Sequence, residues 1–215
     1  LVNDAGQGEY GSFADIDLER DIDIINLNIV SLVTLTKLFL RDMLARNEGK
    51  ILQLASVVGK IPSPLMSVYS GTKAFVHIFT ESLIQEVKDT NVTVTALLPG
   101  ATDTDFFHKA GEQDTTLYRE TELADPAEVA RDGYEALMEG KSMVVSGAKN
   151  KMQVAMAAVT PDETLAKKMG KQMEPSDKAP DSGRTRASHQ PSARERETIN
   201  QLTGSSEGDV SADLP

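Results

Sequence analysis

Apolar residues in the first part of the chain recur at helical spacing: Ile22, Ile25, Ile29, Leu32, Val33, Leu35, Leu38, Leu40 and Met43. They predict one long helix from Leu18 to about Arg46, with Gly49 as its stop. The period then changes. Lys50 to Leu54 is a short apolar run, and Pro62 and Pro64 force a loop after it. A second long helix is predicted from Leu65 to Val87. Val92 to Leu98 mixes β-branched and apolar residues and reads as a buried strand. Asp125-Pro126 opens a helix to about Met138, with Asp at the N-cap, Pro at N1 and Glu128 in the first turn. Met143 to Val145 is a last short strand, and Leu1-Val2 reads as the end of another. This alternation predicts an α/β fold built on a doubly wound parallel sheet.

Composition narrows the classes. A chain of 215 residues suits one domain with a sizeable core. No cysteine is present, which fits a reducing compartment, and a cytoplasmic location is expected. The net charge of −11 argues against an unspecific nucleic-acid binder. No membrane contact is expected either, because Ser31, Thr34, Thr36 and Lys37 break the most apolar stretch, from Ile29 to Leu40. From Lys149 to Met173 the pattern is helical, interrupted at Pro161, and reads as a peripheral pair of surface helices. From Glu174 to Pro215 there is no aromatic residue, and that tail is expected to be disordered.

The chemistry concentrates in Ser67-Val68-Tyr69-Ser70-Gly71-Thr72-Lys73. Tyr69 and Lys73 share one helix face, a turn apart. A free phenol titrates near ~10, and bringing it to neutral pH needs about 4 kcal/mol of preference for phenolate. One cation at ~4 Å, in an effective dielectric of ~20, supplies roughly that much. The pair can therefore form a general acid/base. Tyr and Lys at this spacing are common on solvated helix faces, so the pair carries weight only through the segments around it.

Four such segments exist. Val2-Asn3-Asp4-Ala5-Gly6, Asn26-Leu27-Asn28, Ala55-Ser56-Val57-Val58-Gly59 and Leu98-Pro99-Gly100-Ala101-Thr102-Asp103-Thr104 stand in order around Tyr69. Together they resemble the short-chain dehydrogenase/reductase family, over residues 1–147. The resemblance implies a Rossmann-like NAD(P)-binding domain that interconverts an alcohol and a carbonyl by hydride transfer. It implies Tyr69 as the acid/base, Lys73 as the cation that lowers its pKa and holds the nicotinamide ribose, Ser56 as the group polarising the substrate oxygen, and Asn28 as holder of a relay water. Asn3, Ala5, Gly6, Pro99, Gly100, Thr102 and Thr104, with Tyr69 and Lys73, would line the cofactor, either NAD or NADP. No metal is implied. The partners implied are a small carbonyl or alcohol substrate and further copies of the chain, as a homodimer or homotetramer. Asp4 departs from the family, where a second Asn is usual; an ionised carboxylate only accepts hydrogen bonds.

The resemblance also implies elements absent from these residues. The family's glycine-rich phosphate loop lies upstream of the Asn-Ala-Gly motif, and Gly6, Gly8 and Gly11 follow the wrong strand. The expectation is an N-terminally truncated chain: residues 1–147 as the C-terminal portion of the domain, 148–173 as a helical extension and 174–215 as a tail. An oxidoreductase is the first reading of function; a catalytically silent binding scaffold, or an inactive fragment, is the second. The substrate wall is read as Val57 through Met66 with Phe106 and Phe107, largely apolar. Asp103 and Asp105 read as the N-cap and first turn of a short helix, His77 as an ordinary helix-face histidine, and Asp15, Asp17, Asp21 and Asp23 as a solvated helix start.

Overall fold

The computed structural model describes residues 1–178. Within them, four parallel strands stand in the order β1 (Val2–Asn3), β2 (Gly49–Leu54), β3 (Val92–Leu98) and β4 (Met143–Val145). Val2 lies opposite Leu52, Ile51 opposite Val94, and Leu97 opposite Val144. Because strand side chains alternate, this register sends Ile51, Val94, Ala96 and Leu98 to one face and Leu52 and Leu97 to the other. Both faces are covered, as a parallel sheet requires.

The first face carries α1 (Leu18–Ile25), a π-helical segment Asn26–Ser31, α2 (Leu32–Arg46) and α3 (Ser67–Val87). Met43, Leu83 and Val87 pack there on Ile51, Val92 and Val94. Nearer the strand ends, Leu32 and Val76 pack on Ala96 and Leu98. The second face carries α6 (Pro126–Glu139), whose Val129 and Leu137 meet Leu52 and Leu97. As foreseen, α6 is opened by Asp125, whose Oδ1 accepts from Ala127 N at 2.8 Å with Pro126 at the first position. Truncating a contact such as Leu98 to Ala would cost about 3 kcal/mol.

The first long helix departs from its sequence pattern. Residues 18–46 form one rod, but the chain widens into a π turn at 26–31, and the buried stripe becomes Asp21, Ile24, Asn28, Leu32, Thr36 and Met43. Ile22, Leu35 and Leu38, which the helical period assigned to the core, are exposed instead. One extra residue in a turn rotates everything downstream of it, so the apolar stripe no longer marks the inner face. The helix ends at Asn47 in the left-handed conformation, φ 51°, two residues before the expected glycine. Asp21 is buried rather than solvated.

By length and composition this rod is also long and apolar enough to cross a membrane, which corrects the expectation that no segment was. In the fold, its inner stripe is fastened to the sheet. Asn3 Nδ2 donates to Thr36 Oγ1 at 3.0 Å and to Gln53 Oε1 at 2.8 Å, and Gln53 Nε2 donates to Thr36 Oγ1 at 2.8 Å. Hydrogen bonds of this kind would be lost if the helix left the sheet.

The remaining elements are α4 (Phe106–Ala110), α5 (Thr116–Glu120), α7 (Ala148–Ala157) and α8 (Asp162–Met173). The pattern gave no sign of α5. The extension expected to be peripheral is integral: Val154 of α7 packs against the main core, and Met169 and Met173 of α8 are buried against Ile61, Met66 and Ala110. The start of the expected disordered tail is likewise held. Thr116 N donates to Glu174 O and Ser176 N to Asp114 O, both at 2.9 Å. The rest of that tail, 179–215, lies outside the described residues.

Candidate active site

A cavity of about 940 Å³ opens at the carboxyl ends of β1, β2 and β3 and continues down the sheet face toward α6. This is where parallel α/β sheets place ligands. Ala5 and Gly6 line it after β1, Ser56 after β2, and Pro99, Gly100, Thr102 and Thr104 after β3. Tyr69 and Lys73 enter from the first turns of α3.

Ser56 is fixed by the strand end. Its backbone is extended, its Oγ accepts from Val58 N at 3.4 Å and donates to Pro99 O at 3.5 Å. The following turn, Val57–Gly59, runs so close to α3 that a Cβ on Gly59 would stand 2.7 Å from the carbonyl oxygen of Lys73. That approach requires glycine. It presses the serine segment against the tyrosine helix, and the Tyr69 ring packs on Phe106 with centroids 4.9 Å apart.

Lys73 is buried and donates to Leu54 O at 2.8 Å, which holds its Nζ 5.8 Å from the centre of the Tyr69 ring. Burial pulls the amine down to about 8, partly offset by the Asp4 carboxylate. Tyr69 moves the other way. Burial drives its phenol well above the usual value, the Glu112 charge adds to this, and a hydrogen bond with Ser56 only partly opposes it. The expectation that Lys73 brings the phenol into the neutral range is therefore not met in this geometry: loss of solvation outweighs one cation engaged elsewhere. At neutral pH, Tyr69 is a protonated phenol beside an amine that titrates close to neutrality.

Asn28 does not line the cavity. Its side chain is buried behind it, where Nδ2 donates to Gln7 O and to Thr72 Oγ1, both at 2.9 Å, and Oδ1 accepts from Gln7 N at 2.9 Å. Thr72 Oγ1 in turn donates to Tyr69 O at 2.7 Å. The π turn thus delivers an amide that ties the loop after β1 to the tyrosine helix. Asn3 also faces away, into the Thr36 and Gln53 network, rather than toward a cofactor ribose. Thr102 Oγ1 donates to Gly100 O at 3.0 Å. Thr104, not Asp103 or Asp105, supplies the oxygen at the start of α4, accepting from Phe106 N at 3.3 Å.

The substrate side contains what the motifs left out. Val57, Val58, Met66, Phe106 and Phe107 line it as read, but so do Leu117, Met169, Met173 and the carboxyl of Glu112. Asn150 of α7 covers Gly100, where a Cβ would fall 2.4 Å from its Oδ1. None of these lies in a recognisable motif; Gly111 as a helix stop before Glu112 was the one local signal. Among the described residues no cluster of His, Cys, Asp or Glu could hold a metal.

The residues present fit the nicotinamide-ribose end of a dinucleotide: a buried amine, a phenol, and a small-residue wall at Ala5, Gly6 and Gly100. For the pyrophosphate, the described residues contain no glycine-rich turn leading directly into a helix; α1 begins at Leu18, well beyond Gly6.

Comparison with known proteins agrees with this geometry. The family model of the short chain dehydrogenase matches residues 1–115. The very-long-chain 3-oxoacyl-CoA reductase of Rattus norvegicus is 42% identical over 103 residues, which cover 46% of this chain and 33% of the relative. A probable NADP-dependent dehydrogenase of Haemophilus influenzae is 36% identical over 136 residues, covering 60% of this chain and 54% of the relative. Among solved structures, a short-chain dehydrogenase from Sphingobium yanoikuyae in complex with NADPH aligns with a TM-score of 0.65 at 25% identity, covering 74% of this chain and 62% of that one. A 7beta-hydroxysteroid dehydrogenase aligns with a TM-score of 0.66 at 24% identity, covering 78% and 65%, and shares the fold. The chain spans between a third and a little over half of the curated relatives named here.

Proposed function

Because the chain belongs to the short chain dehydrogenase family, we propose that the intact protein is an oxidoreductase using NAD or NADP to interconvert an alcohol and a carbonyl, with Tyr69 as the acid/base. The observation that carries this reading is the convergence of Ser56, Tyr69 and Lys73 on one cavity at the strand ends. When bound, the nicotinamide supplies or accepts the hydride. The chain supplies orientation and protons. Ser56 Oγ, held at the end of β2, donates to the substrate oxygen and draws charge onto it. Tyr69 gives that oxygen a proton as the carbonyl becomes an alcohol. A phenol with a raised pKa suits this direction, since the alkoxide it protonates is a much stronger base than phenolate. Lys73, near neutrality, holds the cation next to the ribose and can return a proton to Tyr69. Asn28 sets the tyrosine helix in place through Thr72.

The substrate is a small molecule with an apolar body, matched to Met66, Phe106, Met169 and Met173. The proposal includes assembly into a dimer or tetramer through the outer face of the first helix, where Leu35, Leu38 and Phe39 are exposed, and through Phe75 and Ile78 of α3. It includes a cytoplasmic location, compatible with a chain without cysteine. The test is oxidation of NADH or NADPH by the intact protein with a panel of hydrophobic ketones and aldehydes. Turnover with one of the two cofactors is expected; none with either would leave the scaffold reading in its place.

A further inference from the structure

Glu112 is a carboxyl in the wrong company. It sits only 2% exposed, on a wall otherwise made by Tyr10, Ile61, Met66, Phe106, Met169 and Met173. The backbone leaves it no choice of direction. Gly111 ends α4 at φ 78°, which glycine adopts freely, and Glu112 N then donates back to Phe107 O at 2.8 Å. Its own carbonyl accepts from Thr115 N at 3.0 Å and from Thr115 Oγ1 at 2.8 Å. Pinned on both sides, the residue turns its side chain to the cavity that also holds Tyr69.

No group among the described residues satisfies that carboxyl. The nearby cations are engaged elsewhere: Lys73 with Leu54 O, and Lys109 with Asp105. Burial alone pushes its pKa up, to about 7, with no compensating hydrogen bond or charge. A buried carboxyl without a partner lowers stability, and such groups persist where a ligand completes them.

We infer that Glu112 is the specificity residue of the substrate cavity, and that the preferred substrate carries a hydrogen-bond donor, a hydroxyl or an ammonium, on an apolar body away from the reacting carbon. The inference rests on the oxidoreductase reading for the word substrate, but not for the binding. A donor there would satisfy the carboxyl, whereas a carboxylate in the same position would meet like charge. The rest of the wall, methionine and aromatic, discriminates by size and shape alone.

The deciding experiment is calorimetric titration of the intact protein with four para-substituted benzylacetones: unsubstituted, hydroxyl, aminomethyl and carboxylate. The hydroxyl or aminomethyl compound is expected to bind about tenfold or more tightly than the unsubstituted one, and the carboxylate more weakly. Glu112→Leu should erase those ratios. Glu112→Gln should keep a hydroxyl preference but lose an ammonium preference, because the amide retains an acceptor without the charge. A gain for either donor alone supports the inference and names the group. Equal affinity across the four probes, or ratios unchanged in both variants, would overturn it. Turnover of the same probes with NADH and NADPH is measured separately: its absence, with the binding ratios intact, would count against the oxidoreductase reading and not against Glu112.

Discussion

The two walls of the cavity are built by different rules. One is the wall of Ser56, Tyr69 and Lys73, carried by the end of a parallel strand and the first turns of the helix that follows it. Its positions depend on regular elements and on one close contact, Gly59 against Lys73. The opposite wall comes from α4, the turn at Gly111, α5 and α8, short pieces far apart in sequence and held by individual bonds. Tyr10 N donates to Ala110 O at 2.8 Å and Tyr10 OH to Met173 O at 2.6 Å, which closes that wall across the chain. Chemistry sits on the part that the fold makes rigid. Selectivity sits on the part that can change without disturbing it.

The largest effect separating the walls is expected at Tyr69. Tyr69→Phe keeps the ring that packs on Phe106 and removes only the phenolic proton. Turnover by the intact protein should fall by about a thousandfold or more, at the upper end of what one positioned acid/base contributes. Cofactor affinity should change little. A variant retaining most of its turnover would remove Tyr69 from the chemistry.

Next comes Lys73. Its amine is drawn to about 8, so the ammonium is present below that pH and lost above it. The rate of carbonyl reduction should therefore decline on the alkaline side as Lys73 deprotonates. Lys73→Met should weaken nucleotide binding, lower the rate by about a hundredfold and abolish that alkaline decline. A pH–rate curve with the same alkaline limb in wild type and variant would show that some other group titrates.

These two positions were legible in sequence because local geometry does nearly all the work. An i,i+4 pair on a helix stays an i,i+4 pair, and a serine after a short apolar run stays at a strand end. The parallel sheet was legible for the same reason. Asn28 was legible as a participant but not in its geometry, since the π turn that carries it leaves no mark in the hydrophobic period. Asn3 was misplaced because strand parity at β1 is decided by its register with Gln53, a partner 50 residues away. Glu112 and Met173 were not legible at all. Their roles exist only after distant segments close on one another, and a polar run such as Glu112-Gln113-Asp114-Thr115 reads as surface until they do.

On the substrate wall the expected effects are smaller and of another kind. Met173 is 2% exposed and packs with Met66, Met169 and Ala110. Met173→Ala should cost about 2–4 kcal/mol of stability by leaving a cavity. It should also raise KM for bulky ketones more than it lowers kcat, because it touches the apolar body of the substrate and not the reacting oxygen. Denaturant melts and steady-state kinetics on the same preparation separate the two. A fall in kcat with KM unchanged would place Met173 on the chemical wall, against the division drawn here.

The smallest effect is a dependence of stability on pH that only the substrate wall should show. Burial raises the Glu112 carboxyl from its ordinary 4.5 to about 7 in the folded chain. Between those values the native state keeps a proton that the unfolded chain has released. Stability must therefore fall as pH rises through that window and level off above it. The full shift corresponds to about 3 kcal/mol, and water entering the cavity beside the carboxyl reduces the expected loss to about 1–2 kcal/mol. Glu112→Gln, neutral at every pH, should flatten this part of the profile and be the more stable protein at neutral pH. Lys73 cannot imitate the slope. Its value is depressed from 10.5 to about 8, so its contribution makes stability rise with pH, and only between those limits. Urea melts at a series of pH values from mildly acidic to neutral test the assignment. A slope that survives Glu112→Gln would mean that the carboxyl is solvated in the folded protein, and the contrast between a polar chemical wall and an apolar wall with one buried acid would fail at its most particular point.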